Sequence, residues 1–94
     1  MTMEHQLKLL ISDACQALQR FDTDLRIEIS KRIGMVNGQA RLCADFKVGQ
    51  LQDDFSERHY EFTLIVGPTT NVTERRAICD RIMLEVPKHL TRRY

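Results

Sequence analysis

Three sets of side chains in this sequence could carry chemistry: the histidines His5, His59 and His89, the cysteines Cys15, Cys43 and Cys79, and two acidic pairs, Asp22 with Asp24 and Asp53 with Asp54. Histidines and cysteines hold a metal or form a nucleophilic centre only when several converge, and these show neither CxxC nor HExxH spacing. Paired carboxylates do acid-base work when a pocket raises the pKa of one of them. Both pairs here lie in short polar stretches that favour turns instead. No GxSxG, Walker or dinucleotide-type glycine pattern occurs. The residues therefore point away from an enzyme, and they call for no metal and no cofactor. Asn71-Val72-Thr73 matches a glycosylation acceptor, yet with Glu74 it also matches a helix cap, and the cap is the reading adopted.

Binding chemistry is better represented. Arg26, Arg41 and Lys47 fall on one side of alternating segments, Phe55 stands beside Asp53 and Asp54, and Arg75 and Arg76 open a helical segment. Free amides and the positive dipole end at a helix start favour an anion, so Arg75 and Arg76 suit a phosphate or an acidic partner. The plainer expectation for them is a solvated pair with a nearby acid. Phe55 suits either a local packing plug, the expected role, or a contact anchor at a loop tip.

The elements that must position these residues follow from periodicity. Leu7, Leu10, Ile11, Ala14, Leu18 and Phe21 recur at helical spacing, which predicts a helix from about Met3 to Arg20 capped by Thr2. Leu25, Ile27 and Ile29 alternate with polar residues and predict a first strand, with a phase that can continue through Lys31, Arg32 and Ile33. A connection from Gly34 to Gly38 ends in the turn pair Asn37-Gly38. Ala40, Leu42, Ala44, Phe46 and Val48 predict a second strand, and Tyr60, Phe62, Leu64 and Val66 a third. The apolar phase shifts after Val48, so a bulge or strand end is expected at Gly49. Gly67 and Pro68 close the third strand. From Val72 a second helix carries Ile78, Cys79, Ile82, Met83 and Val86, and Pro87 predicts its stop or kink near Glu85.

One oily sheet face and two helices with one oily stripe each give a two-layer α+β domain spanning residues 1–94, α-β-β-β-α, with both helices on one sheet face. The other face shows Arg26, Glu28, Ser30, Arg32, Arg41, Cys43, Asp45, Lys47, Glu61, Thr63 and Ile65 to solvent or to a partner. With 94 residues, 43% of them hydrophobic, the core is modest, and a second copy would add to it, so a homodimer is a live expectation. The net charge of +1 divides into −2 over residues 1–66 and +3 over residues 67–94. Such a balance argues against a dedicated binder of nucleic acid or membrane, though it leaves a basic C-terminal end. Three dispersed cysteines suit reduced thiols in a cytoplasmic setting. The N-terminal residues lack the apolar run of a leader, and no stretch approaches the ~20 apolar residues that cross a bilayer.

The order of elements resembles that of double-stranded RNA-binding domains, with Arg75, Arg76 and the basic tail as the phosphate-contacting residues that likeness implies. The first hairpin, Gly34-Met35-Val36-Asn37-Gly38, lacks the Gly-Pro-x-His of that family. Gly38-Gln39-Ala40 is faintly similar to a strand of SprT-like zinc peptidases, but Ala77 to Leu84 carries no HExxH, so a peptidase is not implied. The expectation is a small non-enzymatic protein-interaction module, an inhibitor or accessory protein of phage or mobile-element type. Its partner is a protein, bound through the exposed sheet face and hairpin tips. Nucleic-acid binding through Arg75 and Arg76 is the alternative.

Overall fold

A computed structural model of the chain describes residues 2–67 and 71–92. Helix α1 spans Met3–Phe21, followed by strands β1 (Arg26–Val36), β2 (Gln39–Leu51) and β3 (Glu57–Ile65), and then by helix α2 (Val72–His89). The strands form one antiparallel sheet in the order β1-β2-β3. This is the α-β-β-β-α arrangement that the periodicity predicts. Pro68, placed at the end of the third strand, lies outside the described residues, as do Arg93 and Tyr94 of the tail.

Local chemistry sets each helix start. The Thr2 hydroxyl accepts the His5 N–H at 3.2 Å, and the Asn71 side-chain oxygen accepts the Glu74 N–H at 3.0 Å, each satisfying a first-turn donor that has no partner within its helix. Leu7, Leu10, Ala14, Ala17, Leu18 and Phe21 then form one buried stripe on α1. The stripe meets Ala44, Phe46 and Val48 of β2, with Leu64 and Val66 from β3 and the residue after it, and Ile82, Val86 and Leu90 from α2 and the residue after it. Phe46 lies at the centre, stacked on Phe62 at 4.7 Å between ring centroids. Both helices contact β3 and each other, and α1 lies over β2. The helix layer therefore covers two of the three strands.

The strands run further than the alternation suggests. Met35 and Val36 belong to β1, paired with Ala40 and Gln39, so the turn is only Asn37-Gly38, at φ 51° and 76°. Two consecutive positive φ values make the tight turn whose twist matches the flanking strands. No bulge interrupts β2 at Gly49: its register runs unbroken from Arg26↔Gly49 on one side to Gly49↔His59 on the other. The paired Arg26 and Glu57 side chains lie across the space that a Cβ at Gly49 would take, and a larger residue there would push the Glu57 carboxylate aside. The apolar phase shifts because Gln50, a polar residue, takes the inward position after Val48, while Leu51 faces outward at 56% exposure. β2 has 13 residues, about 43 Å at ~3.3 Å each, and alone accounts for the 44 Å long axis of the molecule.

α2 does not stop at Glu85. It passes through Pro87 and ends at His89, with the Leu90 N–H bonded to the Val86 carbonyl at 2.9 Å. The missing Pro87 donor is offset by what the extra turn brings inward. Leu90 becomes fully buried, and His89 stacks on Tyr60 at 4.8 Å.

Candidate functional site

The sheet face opposite the helices shows the expected residues, and cross-strand contacts order them. Arg32 donates from Nε and Nη2 to the two oxygens of Asp45, at 2.6 and 3.2 Å, and the Thr63 hydroxyl adds a bond to the same carboxylate at 2.6 Å. The Arg32 guanidinium and the Thr63 hydroxyl hold the Asp45 carboxyl below the usual carboxylate range. Arg26 pairs with Glu57, and Lys47 with Glu61 at 3.9 Å. Cys43, expected on this face in the open, is buried instead. Arg32 and Cys43 both crowd Gly34, whose missing side chain lets the arginine fold back over the thiol.

At the end of the molecule away from Asn37-Gly38, residues 52–56 join β2 to β3. The Gln52 N–H donates to the Ser56 carbonyl at 2.8 Å, and the Phe55 N–H to the Gln52 carbonyl at 3.0 Å. Asp54 accepts from both the Ser56 N–H and the Ser56 hydroxyl, and these bonds hold its carboxyl below the usual range. The result is a defined turn that puts Phe55 at φ 67° with 86% of its surface exposed. Left-handed backbone costs an L-residue about 1 kcal/mol. The plug expected of Phe55 is thus overturned, because the turn that holds its backbone turns its ring away from the core. Leu51 lies beside the tip on the open face, its apolar side chain also uncovered.

Beneath the tip runs a polar clamp that the alternation pattern conceals. The Gln50 side-chain amide donates to Asp22 at 2.9 Å and to the Thr91 carbonyl at 2.7 Å, and its oxygen accepts the Thr91 N–H at 2.7 Å. Gln52 binds both Gln50 and the Thr91 hydroxyl. Asp22 and Gln50 are almost wholly buried, so the clamp joins the end of α1, the end of β2 and the chain after α2. The one sequence signal for it is a glutamine at an inward strand position.

The six residues singled out for binding fall into separate places. Arg26, Lys47 and Arg41 share the open face, Arg41 near the other hairpin, half-buried and bonded to Gln39. Phe55 is at the tip. Arg75 and Arg76 lie in the helix layer, where the Arg75 side chain is only 15% exposed and its Nε lies 3.5 Å from Asp13 of α1. The expected pairing of Arg75 with an acid is present and the acid comes from the other helix, but the arginine is largely buried rather than solvated, while Arg76 is exposed. Arg92 packs over the Phe21 ring at 5.3 Å, which ties that part of the tail to the core. Among the described residues no group of His, Cys, Asp and Glu is placed to hold a metal ion, and no helix is long and apolar enough to cross a membrane. No family model, no curated protein and no solved structure matches this chain.

Proposed function

We propose that this chain is a non-enzymatic protein-interaction module, an inhibitor or accessory protein of the kind phages and mobile elements carry, which engages a protein partner through its β2–β3 tip and the adjoining open sheet face. One observation carries the reading: an aromatic side chain is held fully outward in a strained conformation by a turn that is itself closed by hydrogen bonds. Strained residues persist where their surroundings over-determine them, and such places cluster at ligand-contacting sites. Phe55 and Leu51 supply the apolar centre, and Arg26, Glu57, Lys47 and Glu61 supply a polar rim. That is the anatomy of a small interface, in which a few buried anchors carry most of the energy. The nucleic-acid alternative draws less support, because Arg75 is engaged by Asp13 and Arg92 by Phe21, which leaves Arg76 as the exposed cation at the start of α2.

Affinity purification of the tagged chain from its native cell, with and without nuclease and beside Phe55→Asp, tests the proposal. A protein that co-purifies despite nuclease and is lost with Phe55→Asp supports it. Recovery that depends on nucleic acid, or that the substitution leaves unchanged, overturns it.

A further inference from the structure

We infer that two copies of this chain pair along β1, edge to edge and antiparallel about Ser30, to form one continuous six-stranded sheet with all four helices on the same side. This surface is separate from the Phe55 tip, and the inference stands independently of the function proposed above.

The first observation is which backbone groups are free. The Val66 N–H bonds to the Leu42 carbonyl, so Leu42 directs its backbone groups toward β3. Its partner across the other ladder is Ile33, and bonded and non-bonded pairs alternate along antiparallel strands. Ile27, Ile29, Lys31, Ile33 and Met35 therefore aim their N–H and C=O groups at the outer edge of β1. Such an edge is a template for pairing with another chain. The second observation is apolar surface in the same place. The helix layer lies over β2 and β3, so Ile29, Ile33 and Met35, on the helix side of β1, are 36%, 70% and 70% exposed. An isoleucine-rich edge strand of 11 residues is longer and oilier than solitary edges normally are.

The third observation selects a second copy as the occupant, and its register. With both helix layers on one side, each residue must face one of the same parity, so the twofold axis passes through a residue. An axis at Ile29 sets Arg26 against Arg32, one at Lys31 sets Lys31 against itself, one at Arg32 sets Arg32 against itself, and one at Ile33 overlaps only residues 30–36 and pairs no opposite charges. Like charges directly opposite destabilise a sheet. An axis at Ser30 places Glu28 opposite Arg32 of the second copy, twice by symmetry, with Ile27 opposite Ile33 and Arg26 opposite Gly34. Glu28 has no ion-pair partner among the described residues, and Arg32 reaches Asp45 through Nε and Nη2, with Nη1 over Gly34. The strand is complementary to itself in this register.

Sedimentation of the full chain over a concentration series, joined to site-directed crosslinking, tests the inference. Ser30 directs its backbone groups to β2, so across the axis it forms a non-bonded pair whose Cα atoms stand about 4.5 Å apart, within reach of a disulfide. Ser30→Cys should crosslink through position 30 under mild oxidation, as identified by peptide mass spectrometry, whereas Glu28→Cys, facing Arg32, should not join to itself. Glu28→Lys should raise the dimer dissociation constant at least tenfold with an unchanged circular dichroism spectrum. Lys31→Pro, which removes an outward N–H and leaves the β1–β2 ladder intact, should also dissociate the dimer. A wild-type chain that stays monomeric at several hundred micromolar overturns the inference. Equal self-crosslinking by the Glu28→Cys and Ser30→Cys variants overturns the register.

Discussion

Replacing Phe55 separates an outward anchor from a packing plug by stability alone. A Phe buried as a plug costs about 3–5 kcal/mol on truncation to Ala. With 86% of Phe55 exposed, only about one-seventh of the 1.5–3 kcal/mol of a fully buried Phe is at stake, about 0.2–0.4 kcal/mol. Phe55→Ala keeps the strained φ of 67° and should lower stability by less than about 0.5 kcal/mol. Phe55→Gly relieves about 1 kcal/mol of strain, against a backbone-entropy cost of about 0.5–1 kcal/mol. It should therefore be as stable as the Ala variant, or more stable by up to about 0.5 kcal/mol, which leaves it within about 0.5 kcal/mol of the wild type. Urea titration with an unchanged slope reads both differences from the midpoints. A loss above about 2 kcal/mol for the Ala variant would show that Phe55 packs as a plug. A Gly variant less stable than the Ala variant would refute the strain.

The buried clamp, the final helical turn and the two depressed carboxyls give three further expectations. Gln50→Leu removes a donor to Asp22 and both bonds to Thr91, so it should cost about 1–3 kcal/mol and speed amide exchange at Thr91. Pro87→Ala restores a missing backbone donor in the last turns of α2, where Pro87 is exposed; thermal melting should show a gain of about 1 kcal/mol or more. Asp45 and Asp54 have lowered pKa values from their bonds to Arg32 and Thr63 and to Ser56. Their contribution is complete above the unfolded carboxyl pKa of about 3.9 and is lost as pH falls through the lower folded values. NMR titration of the two carboxyls, with Ser56→Ala returning Asp54 toward the ordinary value, checks the assignment.

Period-two and period-3.6 patterns were enough to read the element order, the open face and the α1 stripe, because each reports directly which side of an element meets the core. Both helix caps were legible for a similar reason, since Thr2 and Asn71 act within their own first turns. Three features rested on contacts between distant segments and escaped the pattern. Gly49 looked like a break because nothing local shows that Arg26 and Glu57 meet across it. Gln50 falls where the apolar phase breaks, and its role stays hidden because its partners Asp22 and Thr91 lie 28 and 41 residues away. Pro87 looked like a stop because the burial of Leu90, which holds the last turn, depends on the assembled core. At the candidate site the charges of the open face were legible, whereas the outward setting of Phe55 depends on the turn bonds of Gln52, Asp54 and Ser56.

A photo-crosslinking amino acid placed at position 55 in the native cell reports whether Phe55 is the anchor for a protein partner. Leu84, 72% exposed on α2, serves as the control position. An anchor at Phe55 gives a discrete protein adduct from position 55 that survives nuclease and is absent from position 84. No adduct at 55, or the same adducts at both positions, would contradict it.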